Sequence, residues 1–228
     1  MKLKYIVLSG IDGSGKTTKA KFTYKYLNDR GIKAIYVWFR WNAYISYFPL
    51  LVAKIAKLTV KMNICNSSII VRRYYINKAL AYLWVLTQSI DFLIGYTVSL
   101  LRAKLYGARI IIYDRFIIPD KIVDLMYESH VNVFKVLLTR AVIYYFLSHL
   151  KNGSVLMVFN KISPYRVLRV RKDLPSRMYP YIYAQLYAII LKMLLENNGV
   201  LILDVEKPLS ENLLHLLKVL NKVAHYKD

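Results

Sequence analysis

"LSGIDGSGKTTKA", residues 8–20, decides the fold. Gly10, Gly15, Lys16 and Thr17 match G-x-x-x-x-G-K-[ST], the phosphate-binding loop. Before the loop, "KYIVL" (residues 4–8) is an apolar, β-branched run suited to a buried strand. After it, residues 16–28 read as a helix that stops at Gly31. The motif therefore lies between a strand and a helix. Gly10, Gly13 and Gly15 let backbone N–H groups converge on phosphate oxygens, and the helix start adds partial positive charge. Ser14, Thr18 and the Lys16 ammonium complete the expected phosphate contacts, while the Thr17 hydroxyl suits Mg²⁺.

Working outward, 34 Lys and Arg against 13 Asp and Glu leave a net charge of +21 on 228 residues. An anionic partner follows, and a nucleotide, a nucleic acid or a membrane surface would each serve. Hydrophobic residues make up 57% of the chain, enough for a large core and against global disorder. One cysteine, Cys65, excludes an internal disulfide and a Cys-rich metal site. The first apolar run leads straight into the phosphate loop, so it reads as a core strand rather than a signal peptide, and a cytoplasmic location is expected.

Four more short apolar runs follow, at 33–39, 108–114, 154–159 and 200–204. Helical stretches separate them, at 45–61, 70–106, 131–150, 177–196 and 210–225. This alternation predicts a single α/β domain with a parallel sheet and helices on both faces. Ligands in such folds sit beyond the carboxyl ends of the strands, so one rim should carry the loop, Arg40, Asp114 and the segment after residue 159.

Residues 79–101, "ALAYLWVLTQSIDFLIGYTVSLL", are long enough to span a bilayer. Asp91 falls near the middle, at a cost of roughly 2.5–3.5 kcal/mol on insertion scales. A single span here would also put Asp114 and the phosphate loop on opposite sides of the membrane. A long core helix, partly facing a second subunit, is the expectation. Residues 43–61 carry Lys54, Lys57 and Lys61 beside apolar residues, and could alternatively lie on an anionic surface.

The other rim residues add chemistry. Asp114 ends the apolar run "IIIYD", where a phosphate-loop enzyme keeps its Mg²⁺-side carboxylate, acting directly or through water. Arg115 follows, with a planar fork suited to a phosphoryl group. In "SPYRVLRVRKDLPSRMY" (163–179), Arg169, Arg171 and Arg177 read as a short arginine-rich lid between two helices. Arg40 ends the second strand between Trp38 and Trp41. A hydroxyl acceptor needs a carboxylate to take its proton, whereas a phosphate acceptor needs a cation. Arg40 favours the phosphate, with a base stacked nearby, and Asp12 is the competing carboxylate.

These residues resemble the thymidylate kinase family, more closely its divergent archaeal relatives. "GIDGSGKTT" resembles that family's phosphate loop, "DRF" (114–116) its Asp-Arg-aromatic motif, "RVRKDLPSR" (169–177) its lid and "VLILDVEKP" (200–208) its last strand and adenine-side loop. The resemblance implies a three-layer P-loop kinase fold with a five-stranded parallel sheet. It also implies ATP, Mg²⁺, a nucleoside 5′-monophosphate acceptor and a homodimer packed through long helices. Asp12 would touch the acceptor's sugar, and Arg115 with the lid arginines would stabilise the moving phosphoryl group. Ser9 stands where the family has an acidic residue, and the Arg-Glu-Pro-Gly segment is absent. The insertion at 44–106 leaves Gln88 and Asp91 as the candidates for acceptor contact. A nucleoside kinase using Asp12 as base remains open. So does a phosphate-loop protein acting on nucleic acid ends or at a membrane. Weak, salt-sensitive nucleic-acid binding is expected of the +21 charge in any case.

Overall fold

The computed structural model describes residues 3–39, 43–64, 67–152, 155–195 and 200–225. The apolar runs become β1 (Lys4–Gly10), β2 (Ala34–Trp38), β5 (Ile110–Asp114), β6 (Val155–Lys161) and β7 (Val200–Asp204). They form one sheet in the order β2-β5-β1-β6-β7. Every pairing is parallel, with Leu8 opposite Asp114 and Gly10 opposite Asn160. Because β1 is central and β5 lies beside it, the phosphate loop and the Asp114–Arg115 pair emerge from neighbouring strand ends. That is the rim the β-α alternation requires.

Helices cover both faces. α1 (Lys16–Asp29) and α8 (Leu209–His225) pack on one side around Ile6, Leu8, Leu27, Leu216 and Leu220. α3 (Lys78–Tyr106), α4 (Ile122–Ser129), α5 (Leu137–Lys151) and α7 (Tyr179–Leu195) share the larger core on the other, around Trp84, Phe92, Tyr113, Phe116 and Tyr187. α3 begins with Asn77, whose side chain accepts from Leu80 N at 3.1 Å, and ends at Gly107 in a left-handed conformation (φ 62°). Those local signals stop a helix at both ends.

The helices expected over 45–61 and 70–106 need correction. α2 covers only Tyr47–Ile55, and β3 (Thr59–Ile64) then pairs antiparallel with β4 (Ser67–Arg72) as a two-stranded ribbon, Val60 opposite Val71. The apolar content was right, but "TVK" and "IIV" are β-branched stretches that favour extended backbone over the helix period. α4 is a further addition, too short for its periodicity to stand out. In the arginine-rich segment the expected helix end, break and new start appear as α6 (Pro164–Val170), an irregular stretch and α7.

α3 is the one helix among the described residues long and apolar enough to cross a membrane. Half of its most apolar window is buried inside the protein, and Gln88, Ser89, Asp91 and Ser99 along it are all buried. It fits a core helix.

Candidate active site

β1 ends at Gly10, and the chain turns at once. Gly10 has φ 135°, and a Cβ there would meet Asn160 O of β6 at 2.5 Å, so only glycine fits. Gly15 caps α1 in a left-handed conformation (φ 76°). Thr17 and Thr18 lie exposed at the mouth of the loop. The first turn of a helix leaves its N–H groups without intrahelical partners, and these donors face the same mouth.

Lys16 is buried and folded back on the loop. Its Nζ donates to Gly10 O at 2.5 Å and Ile11 O at 2.8 Å, and lies 3.7 Å from Asp12 Oδ1. Burial lowers its pKa to about 8, with Arg115 pushing the same way and Asp12, Asp120 and Asp114 pushing back. Asp12 in turn accepts a short hydrogen bond from Arg115 Nη2, both side chains nearly buried. Arg115 takes φ 68°, a left-handed conformation that costs a non-glycine residue on the order of 1 kcal/mol or more. Its backbone N holds Leu8 O at 3.0 Å. This turn swings the guanidinium from the end of β5 onto the loop. Burial opposes its charge, but Asp12, Asp120 and Asp124 outweigh that and keep it firmly protonated.

Asp114 is fully buried. Its Oδ2 accepts from Tyr36 OH at 2.7 Å, while Oδ1 has no protein partner. An orphaned carboxylate oxygen beside a phosphate loop is what a hydrated Mg²⁺ would use, so the donor set of Thr17 and Asp114 fits that ion.

Two anchors under the loop were missed in the sequence. Asp120, 2% exposed, accepts from Gly10 N and Phe116 N, each at 3.4 Å, and from Tyr187 OH at 2.8 Å. Tyr187 OH also lies 3.0 Å from Gly10 O. Burial pushes both groups towards their neutral forms, raising the Asp120 and Tyr187 pKa values, although Lys16 and Arg115 counter it at Asp120. Asp120 follows the Asp-Arg motif by only a few residues, and Tyr187 belongs to the i, i+4 series Tyr179, Tyr183, Tyr187. Those are the only signals that pointed to them.

The lid arginines separate. Arg171 lies over the loop, its Cγ 3.1 Å from where a Cβ on Gly13 would be, and its guanidinium is held by both oxygens of Asp173 at 2.6 Å. Arg169 is exposed and stacked on Tyr165, with Nη2 2.7 Å from its hydroxyl. Arg177 is exposed. Arg166 ties α6 to the loop after β7 through Val205 O (2.8 Å) and Glu206 (3.2 Å).

Of the residues assigned to the acceptor, Arg40 lies outside the described residues, as does Trp41. Asp91 has an internal task. Its oxygens accept from the backbone N of Tyr44 (3.0 Å), Ile45 (2.8 Å) and Ser46 (3.1 Å), and from Ser46 Oγ. Gln88 Nε2 donates to the same Ser46 Oγ at 2.5 Å, and Gln88 Oε1 is buried without a partner.

No family model matches the chain, and no curated protein matches it in sequence. Its fold is similar to that of deoxyadenosine kinase from M. mycoides solved with bound dATP. The two are 16% identical over 95% of this chain and 99% of that one, with a TM-score of 0.54. The structure of deoxyadenosine kinase from M. mycoides with products dCMP and a flexible dCDP bound gives 15% identity, 96% and 99% coverage and a TM-score of 0.51. The chain has the α/β fold of P-loop kinases, with five parallel strands and helices on both faces.

Proposed function

We propose that the chain is an ATP-dependent nucleoside monophosphate kinase, thymidylate kinase-like in its motifs, which moves the γ-phosphoryl group of ATP to the 5′-phosphate of a (deoxy)nucleoside monophosphate. The observation that carries this reading is the state of Asp12. A kinase acting on a hydroxyl needs a carboxylate free to take a proton. Asp12 is clasped by Arg115 and lies beside Lys16, so it is held by two cations rather than turned towards an acceptor hydroxyl. Asp91 is occupied by backbone donors, and residues 33–45 contain no Asp or Glu at all. An acceptor that is already anionic removes the need for a base.

In this reading the N-terminus of α1 and Lys16 hold the β and γ phosphates. Thr17 and Asp114 would hold Mg²⁺, which would supply charge neutralisation at the phosphates. Arg115 and Arg171 flank the transferring group, Arg171 exchanging Asp173 for phosphate oxygens as the lid settles. Arg40 is assigned to the acceptor phosphate and Gln88, with its unsatisfied oxygen, to the acceptor side.

The second reading, a nucleoside kinase, is favoured by the shape shared with deoxyadenosine kinase. One experiment separates them: ADP release with ATP and Mg²⁺, offered each nucleoside and each 5′-monophosphate. Turnover on monophosphates, abolished by Lys16→Ala, supports the first reading. In Arg40→Ala the KM for the monophosphate should rise about ten- to a hundredfold, with that for ATP little changed. Turnover on nucleosides alone, lost in Asp12→Asn and indifferent to Arg40→Ala, would replace it with the second.

A further inference from the structure

We propose that Lys19 forms a second cation subsite for the phosphate chain of the bound nucleotide, at the opposite end of the loop from Lys16; the inference rests on the phosphate-loop reading above. α1 buries Lys16, Lys19, Ala20, Thr23 and Leu27 along one stripe. Lysine is an unusual occupant of such a stripe, and Lys19 is only 2% exposed. Side chains on a helix tilt towards its N-terminus. The Lys19 stem accordingly runs back along the first turn, and its Nζ reaches Gly15, 3.7 Å from where a Cβ would stand.

The electrostatics there are unfavourable without a ligand. A cation sits at the positive end of a helix, whose first turn contains no acidic residue. Among the described residues Lys19 makes no hydrogen bond or ion pair through its ammonium. Burial alone lowers its pKa, with no carboxylate to oppose the shift. Lysines on buried stripes ordinarily snorkel to open water or find an acid. Here the ammonium is brought beside Gly15, at the N-terminus of α1. An anion in the loop would give it the counter-charge the protein does not. Lys16 holds the Gly10 and Ile11 carbonyls at the start of the loop, and Lys19 stands at its end, so the two would grip different oxygens of one phosphate chain.

The test is calorimetric binding of ADP and of AMP to the full chain and to Lys19→Met, Lys19→Arg and Lys16→Ala, with the melting temperature of each ligand-free protein. Methionine keeps the stem and removes the charge. The expected result is a melting temperature for Lys19→Met equal to or above that of the parent, because an unpaired charge has been removed. ADP affinity should be about tenfold weaker, with a shallower salt dependence and partial recovery in Lys19→Arg. Parent-like ADP binding by Lys19→Met, while Lys16→Ala binds none, overturns the subsite and leaves the phosphate-loop reading intact. A lower ligand-free melting temperature with unchanged ADP affinity assigns Lys19 to the fold and overturns it as well. Failure of the parent chain to bind ADP overturns both readings.

Discussion

At the scale of single residues, the site is a set of charges waiting for an anion, and Lys16 gives that a pH signature. Its pKa in the folded, ligand-free protein is about 8, below the ordinary 10.5. A phosphate ligand binds the ammonium form, so nucleotide affinity should be flat between about pH 7, where the terminal phosphate is fully ionised, and about pH 8, and then fall towards about tenfold per pH unit above it. Stability has the opposite sign. The folded-state pKa lies below the unfolded one, so the unfolded chain binds more protons across that gap. Ligand-free stability should therefore rise from about pH 8 to about pH 10, with Lys19 adding in the same direction. Calorimetry and chemical denaturation over the same buffers check both; a nucleotide affinity independent of pH up to about 10 would remove Lys16 from the phosphate contacts. Tyr187 makes a second prediction. Tyr187→Phe takes the hydroxyl from Gly10 O and Asp120 together, and should cost about 1–3 kcal/mol in a denaturant titration while weakening ADP binding. Lys16, Thr17 and Asp114 were legible because the motif spacing and the strand end define them. Asp120 and Tyr187 were not, because each is 110 or more residues from Gly10 in sequence and resembles an ordinary residue in an apolar run.

At the scale of elements, the central sheet was readable and the insertion was not. β1, β2, β5, β6 and β7 are continuous apolar runs that only a sheet covered on both faces accommodates. The β3–β4 ribbon has no such constraint, and its apolar residues fit a helix period as well as a strand period until the β-branched residues are weighed. Asp91 shows how the insertion is held. Ser46 precedes α2 in the N-cap position, but its own side chain does not cap the helix. The segment leading into α2 is held from α3 instead, where Asp91 accepts from the backbone N–H groups of Tyr44, Ile45 and Ser46 and from the Ser46 hydroxyl. Asp91→Ala would leave the buried N–H and hydroxyl of Ser46 unpaired, and should lower stability by about 1–3 kcal/mol without any nucleotide present. A variant that melts like the parent but binds the acceptor poorly would return Asp91 to the acceptor site.

At the scale of the whole molecule, +21 charges and exposed apolar side chains pull salt dependence in opposite directions. α3 exposes Tyr82, Leu86, Leu101, Leu105 and Tyr106, the last three by 57%, 86% and 75%. Side chains of that size on one helix suit a second copy of the chain, and a stable dimer needs roughly 800 Å² per partner. Association of that kind draws on apolar burial and is opposed by the repulsion of two strongly basic bodies. Raising salt screens the repulsion and should strengthen it. Nucleic-acid binding by scattered lysines works the other way, since bound counterions are released and added salt restores them. Sedimentation equilibrium should thus show a monomer–dimer equilibrium that shifts to dimer as salt rises. Over the same range, fluorescence anisotropy should show affinity for a labelled oligonucleotide falling steeply, by about a thousandfold or more between about 50 and 200 mM if six or more phosphates are contacted. A monomer at every salt concentration would remove the dimer. Oligonucleotide binding that persists at physiological salt and depends on a 5′ end would move the function towards nucleic acid, because scattered charge does not distinguish an end from the middle of a strand.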